Sequence, residues 1–470
     1  MRKERDEFYE DNDFQDTVQR YESMKRNKTQ YFFDVFEFEN IINYYIDINE
    51  ANSAFEAIKL ATKQHPTSAI LQLKKAQVLV DKGEPLKSLE ILKKLERIEL
   101  NNYEIFAIKG SALSLLGNIK EAIKNFNYAL SLDPENKDEL LYNIALSFIQ
   151  LNRYKDAIQY LLRANKIDPD NPSYLYELGF CYNKVNELNK SIEFYTKYLE
   201  LDPFADNIWY NLGIVYNKAN ELEKAVEAYD FALAINQEHS YSCFNKANIL
   251  VSLERYKEAI DAYENYMELE DEIAEALTYI GECYEKLDER DKAIKYYKEA
   301  LKSDPEFPEP WFCIGNILLK KGMAEDSVYY FKKAVHLDRE DPIFWAELGR
   351  AYKKMNEINE AYHAYEQATK LDPYNEEIWL EYAHLLYDNS LIKDAVTVLT
   401  NALALLNSNP VIYYHLAAYC FITGDSELGF TNLNEALSLD YDQHNEFLKL
   451  YPEGRSDKKI KETLMHFKND

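Results

Sequence analysis

Set against itself at an offset of 34 residues, the sequence repeats. Units begin at Val35, Ala69, Tyr103, Asp138, Pro172, Asp206, Ser240, Ala274, Pro308, Pro342, Glu376 and Pro410, with one inserted residue near Asn136. Twelve units and the insertion fill residues 35–443, leaving 34 residues before them and 27 after. A period of this length is one supersecondary unit that cannot bury its apolar face alone, so each unit must be closed by its neighbours in a stack. No stretch remains to serve as a linker between separate domains.

Each unit carries two segments of helical periodicity, and the residues that recur are those that closely packed antiparallel helices require. The twentieth position reads Ala54, Ser88, Ala122, Ala157, Ser191, Ala225, Ala259, Ala293, Ser327, Ala361, Ala395 and Gly429, all small. The eighth is glycine at Gly110, Gly179, Gly213, Gly281, Gly315 and Gly349, alanine in five further units, and Ile42 in the first. Glycine inside a helix costs about 0.5–1 kcal/mol relative to alanine, so its recurrence requires a compensating gain, for which close approach of neighbouring backbones is the expected source. At the fifteenth position stand Asn49, Gly83, Gly117, Asn152, Asn186, Asn220, Gly322, Asn356 and Gly424, residue types that tolerate the left-handed conformation ending a helix. Prolines follow the second helix (Pro66, Pro134, Pro169, Pro203, Pro305, Pro373) or open the next first helix (Pro172, Pro308, Pro342, Pro410), where a missing amide hydrogen costs little.

The run Trp209, Leu212, Gly213, Tyr216, Ala225, Tyr229 and Ala232 has the spacing W-x2-L-G-x2-Y followed by A-x3-F, with Gln237 in place of the closing proline. In this it resembles the tetratricopeptide repeat. The stretch from Pro172 to Pro203 matches without the tryptophan, and that from Pro342 to Pro373 matches through Trp345, Leu348, Gly349, Tyr352, Ala361, Tyr365 and Ala368. Ile42 and Lys75 depart from the pattern in the first two units. The resemblance, which extends over residues 35–443, implies an all-α fold: an α-solenoid of stacked antiparallel helix pairs wound as a right-handed superhelix. Its concave side would be lined by the first helix of each pair.

The ends of such a stack need covering. Residues 444–470 are expected to form capping helices, with Phe447, Leu448, Leu450 and Tyr451 over the open face and Ser456 capping a last helix that carries Ile460, Leu464, Met465 and Phe467. In the charged segment 1–34, Phe14, Val18 and Tyr21 have helical spacing, fitting either a cap helix or an unfolded arm.

Composition excludes several classes. With 54 basic and 82 acidic residues the net charge is −28, whereas a nucleic-acid binder needs a basic footprint. Met1 to Glu10 lack the apolar core of a secretory signal, and the longest apolar stretch, Val411 to Ile422, is too short to span a bilayer. Five scattered cysteines show neither a disulfide framework nor a zinc spacing. The expectation is a cytoplasmic protein with no membrane insertion, no nucleic-acid partner and no cofactor.

Catalytic motifs are missing from the sequence: it has no H-E-x-x-H, no phosphate-cradling glycine loop and no nucleophile elbow. His384 and His415, with Glu381 near them, lack a third ligand and read as packing or solvated residues. The candidate site is therefore the groove. By analogy with the family, the second, fifth, sixth, ninth, twelfth and thirteenth positions face inward. They supply Tyr142, Tyr176, Tyr210, Phe244, Phe312 and Tyr414, with Asn143, Asn211, Asn245, Asn248 and Asn316 beside them, rings and amides suited to a peptide backbone. The same residue types also pack between units in the average repeat of this family. Glu275, Glu282 and Glu285 would make an acidic inner patch, and Lys320, Arg350, Lys353 and Lys354 a basic one.

These features point to a non-catalytic scaffold that binds protein or peptide partners in its groove, with the acidic excess favouring basic ones. The alternative is a substrate adaptor or regulatory subunit acting in trans with a separate enzyme. A carboxylate clamp of the kind some family members use is disfavoured, because no unit has lysine at its fifth position.

Overall fold

The computed structural model describes residues 12–27, 30–48, 50–132 and 136–468, which contain helices and turns but no strand. Asn49 and Pro134 lie outside them, as does the side chain of Phe14. The chain divides into two compact halves, Met1–Gln237 and Glu238–Asp470. The division falls in the turn after the sixth repeat, where Gln237 replaces the closing proline.

Each repeat is a pair of helices, A and B. In the first half the pairs are Val35–Asp47 with Ala51–Gln64, Ala69–Asp81 with Pro85–Leu95, Tyr103–Leu115 with Ile119–Leu132, Lys137–Gln150 with Tyr154–Ile167, Pro172–Lys184 with Leu188–Leu201, and Asp206–Lys218 with Leu222–Ile235. In the second they are Ser240–Ser252 with Tyr256–Met267, Ala274–Lys286 with Arg290–Ser303, Pro308–Lys320 with Ala324–Leu337, Pro342–Lys354 with Ile358–Leu371, Glu376–Asp388 with Ile392–Leu405, and Pro410–Thr423 with Ser426–Leu439. Every A helix starts where the period places it, except the fourth, which starts one residue early at Lys137.

The crossing of A on B explains the small residues. All the alanines and serines at the twentieth position are 0% exposed. Two of the serines, Ser88 and Ser191, donate their hydroxyls to the eighth-position carbonyls of Ala76 and Gly179, each at 2.7 Å. The eighth-position glycines meet a side chain rather than a bare backbone. A β-carbon on Gly110, Gly179, Gly213, Gly281 or Gly315 would lie 2.4–2.7 Å from the ring of Phe126, Tyr195, Tyr229, Tyr297 or Phe331, and one on Gly349 would lie 3.1 Å from Tyr365. Where a close backbone approach was expected, an aromatic ring of the B helix packs directly against the A helix.

The turns obey local chemistry. Left-handed residues end the A helices at Gly83, Gly117, Asn152, Asn186, Asn220, Glu254, Asp288, Gly322, Asn356, Ser390 and Gly424. Three of these, Glu254, Asp288 and Ser390, are not types the sequence marks for that conformation. Ahead of the A helices, all four tryptophans tie down the preceding loop: Trp209, Trp311, Trp345 and Trp379 donate Nε1–H to the carbonyls of Pro203, Pro305, Arg339 and Pro373 at 2.9–3.1 Å.

Both ends are covered. Helix Asn12–Asn27 buries Tyr21 against Phe33 and Tyr45, so the segment around Val18 and Tyr21 is a packed helix. At the other end Phe447, on His444–Leu450, and Ile460, on Lys458–Lys468, are fully buried in the core of the last repeats. The last helix is capped by Asp457, whose Oδ1 accepts from the Ile460 amide at 3.0 Å. Ser456, the expected cap, donates to the Glu453 carbonyl instead.

Candidate functional site

The A helices bring the predicted groove residues to half-exposed positions, although most of them are already engaged. In the first half Tyr142, Tyr176 and Tyr210 follow one another on successive A helices. Tyr142 packs on Tyr174 with ring centroids 5.1 Å apart, Tyr176 on Tyr195 at 6.4 Å, and Tyr210 on Tyr229 at 5.9 Å. The Asn211 side chain, on the neighbouring repeat, lies close to the Tyr176 hydroxyl, whose proton burial makes harder to remove. Asn143 is exposed. Along the same face Lys218 donates to Asn183 Oδ1 at 2.8 Å.

One residue of this face stands out electrostatically. At the sixth position, where repeats four, six and seven carry Asn143, Asn211 and Asn245, repeat five carries Glu177. Burial without a compensating cation pushes its carboxyl up to about 7. The sequence signal for Glu177 was its being the odd residue in a row of asparagines. Asp81 and Glu104 are also raised by burial, Asp81 to about 6.

In the second half Phe244 is enclosed by Tyr263, Tyr266 and Tyr279, at 5.7, 5.0 and 5.9 Å. Asn248 accepts from the Tyr263 hydroxyl at 2.5 Å, and Asn245 is half-buried beside them. Phe312 lies between Phe331 and Phe344 at 5.9 and 4.8 Å, with Asn316 half-buried one turn on. Tyr414 leaves the expected row: its ring is fully buried and its hydroxyl donates to the Asp440 carbonyl at 2.6 Å.

Two of the four residues expected to make a basic patch, the others being Lys320 and Lys354, are held by acidic partners. Arg350 is gripped by Glu347, Glu377 and Glu381, and Lys353 pairs with Asp388 at 2.9 Å. Three carboxylates thus surround one guanidinium, an arrangement the one-dimensional pattern hid because Glu377 and Glu381 come from the next repeat. In the acidic patch Glu285 and Glu275 accept from the hydroxyls of Tyr297 and Tyr279, at 2.7 and 3.1 Å, and burial raises Glu282. His384 and His415 stack and share a 3.1 Å hydrogen bond. Burial, with the neighbouring His384, lowers His415 to about 4.

Among the described residues no group of three or more His, Cys, Asp or Glu is placed to hold a metal ion. None of the helices described is long and apolar enough to cross a membrane. All five cysteines are free thiols, four of them buried and Cys313 half-exposed.

Family models described as tetratricopeptide repeat match residues 114–178, 172–204, 207–239, 240–272, 274–307 and 342–385, together half of the chain. No curated protein sequence matches it. Among solved structures, MamA is 28% identical over 34% of this chain and 95% of its own, with a TM-score of 0.33. YrrB, described as a TPR protein with an unusual peptide-binding site, is 22% identical over 42% of this chain and 97% of its own, with a TM-score of 0.33. The complex of Naa15/Naa10 bound to HypK-THB is 16% identical over 92% of this chain and 75% of the matched one, with a TM-score of 0.37.

Proposed function

The chain belongs to the tetratricopeptide repeat family, and we propose that it is a non-catalytic, cytoplasmic scaffold that binds a basic segment of a partner protein along its A helices. The observation that carries this reading is the face formed by Tyr142, Tyr176, Tyr210 and Asn211 around Glu177. Half-exposed rings give contact area at low entropic cost, and the Asn211 amide can pair with a peptide backbone. The Glu177 carboxyl sits desolvated until a cation reaches it. The net charge of −28 adds a long-range bias toward basic partners.

The test is affinity capture from the native cell with the wild type and a Tyr176→Ala/Tyr210→Ala/Asn211→Ala variant, followed by reconstitution of each captured protein in purified form. A partner that binds the wild type and loses at least tenfold with the variant supports the reading. Partners retained equally by both place the interaction elsewhere. Turnover by purified protein that disappears on groove mutation, with the fold intact, would overturn the scaffold assignment.

A further inference from the structure

A cleft of about 570 Å³ opens in the second half between the B helix of repeat nine and both helices of repeat ten. Its floor includes Val335, Leu348 and Ala364, and Trp345 forms one wall. At about 100° per helical residue, Trp345 and Leu348 project from the side of their helix opposite to Arg350. The cleft is therefore separate from the A-helix groove face.

Its origin lies in two rings that other repeats place beside the equivalent tryptophan and that repeat ten lacks. In repeat six Phe231 stacks on Trp209 at 4.5 Å, and in repeat nine Tyr330 packs on Trp311 at 5.6 Å. The residues equivalent to Phe231 and Tyr330 in repeat ten are Gln367 and Ala364. Only the edge of His363 approaches Trp345, at 6.2 Å, and the space of an aromatic side chain is left beside the indole. On the rim stand Lys332 and Arg339 against one carboxylate, Glu360. Lys332 rests over the Tyr352 ring at 5.4 Å, and neither cation forms an ion pair among the described residues. Two cations without ion pairs thus stand at an apolar floor in a chain of charge −28.

We propose that this cleft is a second docking site, which takes an acidic segment of a partner protein and receives one of its aromatic side chains against Trp345. The inserted ring replaces the one that Ala364 omits, and flanking carboxylates meet Lys332 and Arg339 in charge-assisted contacts. A nucleotide fits less well. The adjoining helix N-terminus that would hold its phosphates is already capped by Asp341, whose Oδ1 accepts from the Ile343 and Phe344 amides at 2.6 and 3.3 Å.

Fluorescence anisotropy of the full chain with labelled peptides tests this. Each peptide carries one phenylalanine, tyrosine or leucine between glutamates, with controls in which alanine replaces the central residue or lysines replace the glutamates. Saturable binding of an aromatic acidic peptide is expected. It should weaken at least tenfold in Lys332→Glu/Arg339→Glu and be lost in Ala364→Tyr, which restores the ring found in repeat nine. Helical circular dichroism reports folding, and the surface charge variant decides alone if Ala364→Tyr fails to fold. The proposal is overturned if no aromatic peptide binds, if the alanine or lysine control binds as well, if the charge variant binds like the wild type, or if ATP binds more tightly and displaces the peptide.

Discussion

Gly213 lies against the Tyr229 ring, so closely that a β-carbon there would sit 2.6 Å from Cε1. The two residues are sixteen apart in every repeat, and their sizes vary together. Glycine at the eighth position always faces phenylalanine or tyrosine, while Ala76, Ala145, Ala383 and Ala417 face Leu92, Leu161, Leu399 and Leu433. Only Ala247 faces a ring, that of Tyr263. Gly213→Ala should therefore destabilise the first half by about 1–3 kcal/mol through overpacking. Tyr229→Leu added to it should recover part of the loss by recreating the alanine–leucine pair. Urea unfolding, with hydrogen exchange to localise the effect, checks both, and additive losses in the double variant would show that the two sites are not coupled.

Glu254 ends its A helix at φ +59°, where its counterparts in other repeats are mostly glycine or asparagine. A side chain in this region costs about 1 kcal/mol, and glycine removes that cost while adding entropy to the unfolded chain. Glu254→Gly should leave stability unchanged or raise it by about 0.5–1 kcal/mol. The same substitution at Glu227, exposed in the middle of a B helix, should lower stability by about 1 kcal/mol. Equal losses at both positions would contradict the assigned conformation.

The architecture was legible because its determinants are local and repeated: small residues at fixed positions, turn formers between helices, and proline at the first turn of Pro172–Lys184 and its counterparts. What escaped was relational. The Tyr229 ring over Gly213 could be seen only by reading two helices together. Arg350 looked basic because Glu377 and Glu381 lie 27 and 31 residues away in sequence. Asp457 and Ser456 are both good caps, and the choice between them depends on where Pro452–Arg455 turns the chain. The cleft beside Trp345 came from Ala364 and Gln367, which stand where other repeats place rings and have no chemistry of their own to mark it.

Glu177 gives the first half a pH dependence opposite to the usual carboxylate. Its folded value is raised from 4.5 to about 7, so the folded state holds the proton more tightly than the unfolded chain does. The resulting stability is fully present below pH ~4.5 and is lost as pH rises through 7. His415 acts in the other direction: lowered from 6.5 to about 4, it costs the second half stability as pH falls from 6.5 toward 4. Glu177→Gln should lessen the fall in stability between pH 5 and 8 for probes in the first half, to which Asp81 and Glu104 also contribute, and His415→Gln should reduce the acid loss in the second, which it shares with His384. Melting curves across that range, read with hydrogen exchange in each half, check the assignment. An unchanged profile in Glu177→Gln would mean that the carboxyl is solvated.

The same carboxyl links partner binding to protons. Near pH 7 Glu177 is divided between its two forms, and a lysine or arginine delivered by a partner favours the ionised one. Binding of a basic segment should therefore release a fraction of a proton, so affinity should rise as pH is taken from 6 to 8. Calorimetric titration of a reconstituted partner in buffers of different ionisation heat measures that release directly, and Glu177→Gln should abolish it. Affinity should also fall with added salt, because exposed charges contribute to the encounter. Proton uptake on binding, or affinity indifferent to salt, would mean that the partner meets this face through apolar contact alone and that the acidic excess plays no part in choosing it.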